Sequence, residues 1–206
     1  MGPSVGVIHG RFQPLHIGHM EYLLAGKSEC DLLVVGITNP DPWLMGNESS
    51  DANRGRLQSN PCTFYERLLM VEGALRDAGV SPDAMRIVPF PHSYPERLRY
   101  YAPETALYFL SIYDQWGETK LTRFHDLGLR THVLWRRAEA DRVTSGSAIR
   151  DRIITGGDWE SLVPQATARV IREFGIVERI REASGTERLY RPPACGQAVP
   201  AGEGGA

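Results

Sequence analysis

The chain has 206 residues, 42% of them hydrophobic and 23% charged, with a net charge of -2, which suits one full-sized soluble α/β domain and is too short for two. That charge gives no basic field for nucleic acid, and apolar runs such as "LLVVGI" are too short to span a bilayer, so neither nucleic acid nor membrane is an expected partner. The opening "MGPSVG" lacks the basic and apolar regions of a secretion signal, and Cys30, Cys62 and Cys195 have neither disulfide nor zinc spacing. A cytoplasmic protein with two core thiols and one tail thiol is expected.

Strand-like runs alternate with helical patterns along the chain. "SVGVIHG" passes through Arg11, Phe12, Gln13 and Pro14 into the helix "HMEYLLAGK". "DLLVVGI" is the second strand, "TFYERLLMVEGALRDAG" the second helix and "MRIVPF" the third strand. "ALYFLSI" then reads as strand four, "WGETKLTRFHDLG" as a helix and "RTHVLW" as strand five, with helices from "GSAIRDRII" onward. This order predicts an α/β fold: a Rossmann-like, doubly wound parallel sheet of about five strands with C-terminal helices, its ligand at the carboxyl ends of the strands. "TFYE" matches a capping box of Thr63 and Glu66. Residues 38–62 form a connection that is long for a compact domain and lies at the ligand edge, as a binding loop, a lid or a disordered segment. From Ser184 onward, 8 of 23 residues are Gly or Pro without apolar periodicity, so a domain over 1–183 and a disordered tail over 184–206 are expected. Tyr108, Phe109, Phe124 and Trp159 read as core, and His92, His125 and His132 as surface or satisfied groups.

The segment "GRFQPLHIGH" places His16 and His19 around Gly18 where a strand gives way to a helix. The unpaired N–H groups of a helix start attract phosphate, and two imidazoles can add donors to a triphosphate, more strongly when protonated. Gly18 would let a base or ribose approach the backbone. A metal site would need a third ligand, and no H-E-x-x-H or Cys cluster accompanies the pair. Helix-capping or surface histidines are the plainer alternative. "VTSGSAIRDRI" after strand five supplies a second helix start, with Ser145 and Ser147 as cap and phosphate donors and Arg150 in its first turn. Two helix starts facing one crevice make a polyphosphate clamp.

These segments resemble the nucleotidylyltransferase superfamily, which carries an early H-x-G-H and a late S-x-T-x-x-R-like motif. "GRFQPLHIGH", "NPCTFYERLLM" and "TSGSAIRDRIITGGDWESLVP" are similar to the archaeal-type nicotinamide-nucleotide adenylyltransferases over most of residues 5–182. The resemblance implies transfer of a nucleoside monophosphate from an NTP to a phosphorylated small-molecule acceptor, with pyrophosphate release and Mg²⁺ held mainly by substrate phosphates. It implies that His16, His19 and Arg150 act in catalysis. It also implies that Gly10, Arg11, Phe12, Gln13, Gly18, Ser145, Ser147 and Arg150 bind the nucleotide.

The acceptor side departs from that family. The Trp that stacks on a pyridine ring in the nicotinamide enzymes has no counterpart in "PHSYPERLRYYAP", where Tyr94, Tyr100 or Tyr101 is the available substitute. Asn39 after strand two, and Asp114, Trp116 and Lys120 after strand four, are the other acceptor candidates. Trp135, Arg136 and Arg137 end strand five, with an arginine in reach of phosphate or both solvated. ATP with nicotinamide mononucleotide or a related phosphate is the preferred substrate pair. The alternatives are a CTP-dependent cytidylyltransferase acting on a phosphate or phosphonate, and a non-catalytic nucleotide sensor. A homo-oligomer stays open.

Overall fold

The computed structural model describes residues 4–41 and 57–185. Five parallel strands form one sheet: β1 (Val5–Gly10), β2 (Leu32–Thr38), β3 (Met85–Phe90), β4 (Leu107–Ile112) and β5 (Arg130–Arg136), in the order β3-β2-β1-β4-β5. The chain thus builds outward from β1 in one direction, then reverses and builds outward in the other, as a doubly wound sheet does. β1 and β2 are apolar almost throughout and buried between helical layers, whereas β5 lies at the edge and alternates more exposed and less exposed positions.

Helices α1 (Ile17–Ser28) and α2 (Phe64–Asp77) pack over one face together with α4 (Gly146–Thr155), α5 (Gln165–Glu173) and α6 (Ile176–Ser184). Ile8, Leu23, Leu33, Met70, Leu75, Ile149, Ile153, Ile171 and Ile176 fill that side. Helix α3 (Gln115–Asp126) covers the other face, where Val7, Phe90, Tyr108, Leu110 and Phe124 form a smaller core. Tyr108, Phe109, Phe124 and Trp159 are buried, and so are the free thiols of Cys30 and Cys62. Cys195, the tail from residue 186 and the long-loop segment 42–56 lie outside the described residues.

The capping box forms. Thr63 Oγ1 accepts from the Glu66 N–H at 3.2 Å, and the Glu66 carboxylate accepts from the Thr63 N–H at 2.8 Å. That buried carboxylate also pairs with Arg179 of α6 at 2.8 Å, fastening the last helix to the entry of α2. Between Leu110 and Ser111 the β4 register slips against β5, so Ser111 pairs with Trp135. Such a bulge re-aims side chains at the strand end, here at the rim of the ligand edge.

Candidate active site

A crevice of about 370 Å³ opens at the carboxyl ends of the strands, centred where β1 and β4 adjoin and the winding reverses. The residues expected to act in catalysis or bind the nucleotide, and the acceptor candidates after strands two and four, border it: Gly10, Arg11, Phe12, Gln13, His16, Gly18, His19, Asn39, Asp114, Trp116, Lys120, Ser145, Ser147 and Arg150. Tyr94, Tyr100 and Tyr101 do not, and Tyr100 is exposed, so the tyrosines expected to replace a stacking Trp are not on this wall. Arg136 and Arg137 are not on it either. They pair with Glu118 and Glu21, at 3.0 and 2.7 Å.

His16 caps α1: its Nδ1 accepts from the His19 N–H at 3.2 Å, which leaves the ring proton of the neutral form on Nε2. The two imidazoles stack with centroids 3.6 Å apart, and His19 meets the Phe12 ring edge-on at 4.9 Å. A Cβ on residue 18 would lie 3.3 Å from His16 Nδ1, so Gly18 leaves room for the capping ring as well as for a ligand. Burial, and then Arg142, push the His16 pKa down to about 4. Burial, then His16, Arg11 and Arg142, hold His19 well below its usual value. Both rings are therefore held neutral near pH 7, where the stronger donation of the protonated form is disfavoured.

The loop between β1 and α1 is clamped from behind. Phe12 has a left-handed backbone (φ 51°) and a fully buried ring, and the Gln13 amide bonds both to the Cys62 carbonyl and from the Cys62 N–H, each at 2.8 Å. These two side chains hold the loop, and both also border the crevice where they are expected to bind the nucleotide. Arg67 was missed. Its buried guanidinium donates to the carbonyls of Arg11 (2.9 Å), Thr38 (2.7 Å) and Asn39 (2.8 Å), tying the ends of β1 and β2 together. Burial lowers its pKa to about 10. Its sequence signal is the Arg directly after the capping Glu66 in "TFYER".

Helix α4 docks onto the same loop. Arg150 donates to the Gln13 carbonyl at 2.6 Å, and a Cβ on Gly146 would come within 2.7 Å of that oxygen, so only glycine permits the approach. Ser145 accepts from the Ala148 N–H at 3.2 Å, and its hydroxyl lies 3.0 Å from that of Ser147. The two helix starts thus share one wall of the crevice, with hydroxyls, imidazoles and a guanidinium converging on it.

On the α3 side, Asp114 caps its helix by accepting from the Gly117 N–H at 2.9 Å and pairs with Arg142 at 2.7 Å. Its carboxylate is thus held by two partners within the protein while it lines the crevice. Arg142 lies over the Tyr113 ring at 4.8 Å and also borders the crevice; nothing in its sequence surroundings marks it. Trp116 and Lys120 line this half with His9 and His92, the second of which was expected as a surface or satisfied group and contacts the Ser93 hydroxyl at 3.4 Å. His125 does have a satisfied contact, 2.7 Å from the Thr131 hydroxyl.

Among the described residues, no three His, Cys, Asp or Glu side chains are grouped to hold a metal ion. A family model described as cytidylyltransferase-like matches residues 7–152. Over 178 residues the chain is 64% identical to a phosphonoformate cytidylyltransferase of Streptomyces viridochromogenes, covering 86% of this chain and 96% of that one. It is 32% identical to a nicotinamide-nucleotide adenylyltransferase of Methanothrix thermoacetophila, covering 87% and 95%. Among solved structures, a bifunctional NMN adenylyltransferase/ADP ribose pyrophosphatase from Francisella tularensis, complexed with AMP and a manganese ion, superposes with a TM-score of 0.62 at 13% identity. That match covers 89% of this chain and 53% of the solved one, so this chain spans about half the length of that protein, and at this identity it speaks for the fold alone. Crevice, motifs and relatives agree: the chain belongs to the cytidylyltransferase-like family of the nucleotidylyltransferase superfamily.

Proposed function

We propose that the enzyme transfers CMP from CTP to a small phosphonate, phosphonoformate or a close analogue, and releases pyrophosphate. The observation that carries this reading is the 64% identity to a phosphonoformate cytidylyltransferase over nearly its whole length, against 32% to an adenylyltransferase. The preference for ATP rested on "NPCTFYERLLM" and "SGSAIR". Those segments have structural work to do: Thr63 and Glu66 cap a helix, Arg67 ties two strand ends, and Arg150 meets a backbone carbonyl. None of that work reads a base, so the segments carry no vote between ATP and CTP.

In the proposed reaction a phosphonate oxygen of the acceptor attacks the α-phosphorus of CTP. The new P–O bond forms as the bond to the β-phosphate oxygen breaks, and pyrophosphate leaves with that oxygen. The attacking oxygen is already anionic near neutral pH, so alignment and charge stabilisation suffice. His16 and His19 donate ring N–H groups to the triphosphate, Ser145 and Ser147 hydroxyl protons to the β- and γ-phosphates, and Arg150 the rest of its guanidinium fork. A divalent ion such as Mg²⁺ fits a site without a carboxylate cage when the phosphates themselves hold it, and it supplies neutralisation of the departing pyrophosphate. Pyrophosphate release measured with CTP or ATP against phosphonoformate or nicotinamide mononucleotide tests the reading. CTP with phosphonoformate is expected to be fastest, and faster turnover of ATP with nicotinamide mononucleotide would overturn it.

A further inference from the structure

His9 stands in β1, one residue before the phosphate-facing loop begins. Its ring is 6% exposed and lies between Phe90, stacked at 4.7 Å and 18°, and Phe124, tilted at 5.2 Å. Neither ring nitrogen has a hydrogen-bond partner among the described residues, and yet the residue borders the crevice. A buried polar group without a partner is costly, and folded proteins satisfy nearly all of them. Valine or leucine would complete this apolar strand without that cost.

The surroundings point to what the ring is for. His9 also lines a narrow recess off the crevice, with His92, Trp116, Thr119, Lys120, Arg123 and Phe124. The charged side chains in that lining are basic, and none is a carboxylate. Its volume of about 10 Å³ holds about one water-sized atom, so it can meet the tip of a small polar group at its mouth but not a heteroaromatic ring. Burial, followed by the Lys120 and His92 charges, keeps the imidazole neutral, so it holds one N–H ready to donate. A flat partner on each side restrains the ring's tilt.

Resting on the cytidylyltransferase reading above, we infer that His9 is a specificity-determining residue that donates a hydrogen bond to the second anionic group of a two-headed acceptor, the carboxylate of a phosphonocarboxylate. The reacting phosphonate must lie against the loop after Gly10 to reach the α-phosphorus. The opposite end of a short acceptor then meets the mouth of the His9 recess from the crevice, where Lys120 complements its charge. A nucleotide acceptor, carrying a ribose and a base at that end, does not fit the recess, and a phosphonate without a carboxylate leaves His9 unpartnered.

The test compares the wild-type enzyme with His9→Leu and His9→Gln, using phosphonoformate and methylphosphonate as acceptors and CTP as donor, with thermal melts alongside. His9→Leu is expected to raise the phosphonoformate KM by about ten- to a hundredfold, as loss of a hydrogen bond to a charged group does. The CTP KM should stay unchanged, and the melting temperature unchanged or higher, because an unsatisfied buried group has been removed. His9→Gln, which keeps a donor, should recover part of the loss, and methylphosphonate should be used equally poorly by all three proteins. A phosphonoformate KM unaffected by His9→Leu overturns the inference while leaving the cytidylyltransferase reading standing, and so does an equal rise with methylphosphonate. A wild-type enzyme that neither binds phosphonoformate by calorimetry nor consumes it overturns both.

Discussion

His16, Gln13 and Arg150 on the α1 and α4 wall of the crevice already have hydrogen-bond partners within the protein, whereas on the α3 side the His9 ring has none among the described residues. His16 accepts from a backbone N–H, Gln13 is bonded both ways to Cys62, and Arg150 reaches a carbonyl 137 residues away in sequence. His9 instead lies against rings beside Lys120 and His92 with both nitrogens unpaired. The first wall is set before any ligand arrives, which suits a donor whose triphosphate must be aligned for in-line attack. On the second, the His9 ring keeps its hydrogen-bonding capacity for a ligand, which suits selection among acceptors.

The largest expected effect tests the set wall. His19→Ala should lower kcat by about 10² to 10³ with little change in melting temperature, since one preorganised donor is lost and the Nδ1 removed had no partner. His16→Ala should match it in rate but also lose about 1 kcal/mol of stability through the missing cap. Turnover close to wild type in both would break the contrast.

Next, Arg67→Lys should lower stability by about 3 kcal/mol, because an ammonium cannot span the carbonyls of Arg11, Thr38 and Asn39. Thermal unfolding should register a fall of roughly 6 to 12 °C. A melting curve like that of the wild type would show that the strand ends need no such tie.

On the open wall, Trp116→Ala should raise the acceptor KM by an amount equivalent to about 1 to 2 kcal/mol and leave the CTP KM alone. Steady-state kinetics with each substrate varied in turn decides this. An equal rise for both substrates would make Trp116 part of the shared frame.

The smallest effect concerns pH. The folded His16 titrates near 4, against 6.5 for the free side chain. Below 6.5 the unfolded chain takes up a proton that the native chain refuses, so stability falls as pH falls through that window, by up to about 1.4 kcal/mol per unit. His19 and His9 are lowered too and add slopes of the same sign. Melts from pH 7.5 to 5 should show the decline, and His16→Asn, which retains a capping oxygen, should make it shallower. A flat profile in the wild type would mean that these rings are open to protons.

Much of the α1 and α4 wall was legible because its signals are local. A capping box, a strand alternation and two histidines around a glycine are each written within a few residues, and Ser145, Ser147 and Arg150 fall within one helical turn or so. Arg67, Arg142 and His9 were not legible, since their meaning comes from partners far along the chain. Arg67 is defined by carbonyls 28, 29 and 56 residues away. His9 reads as one more position in an apolar strand until Phe90 and Phe124 are brought to either side of it. The tyrosines of 91–103 misled for the complementary reason: they had the right chemistry, and the fold turned them away.

The Arg67 fork touches main chain alone at Arg11, Thr38 and Asn39. Its grip is therefore indifferent to what side chains those three positions carry, so the spacing of the strand ends is inherited separately from the residues that face the substrate. A lineage could exchange the side chain at position 39, or at the neighbouring acceptor wall, and keep the donor geometry intact. Substrate range in such a scaffold can drift by single substitutions without a detour through an unfolded or inactive ancestor.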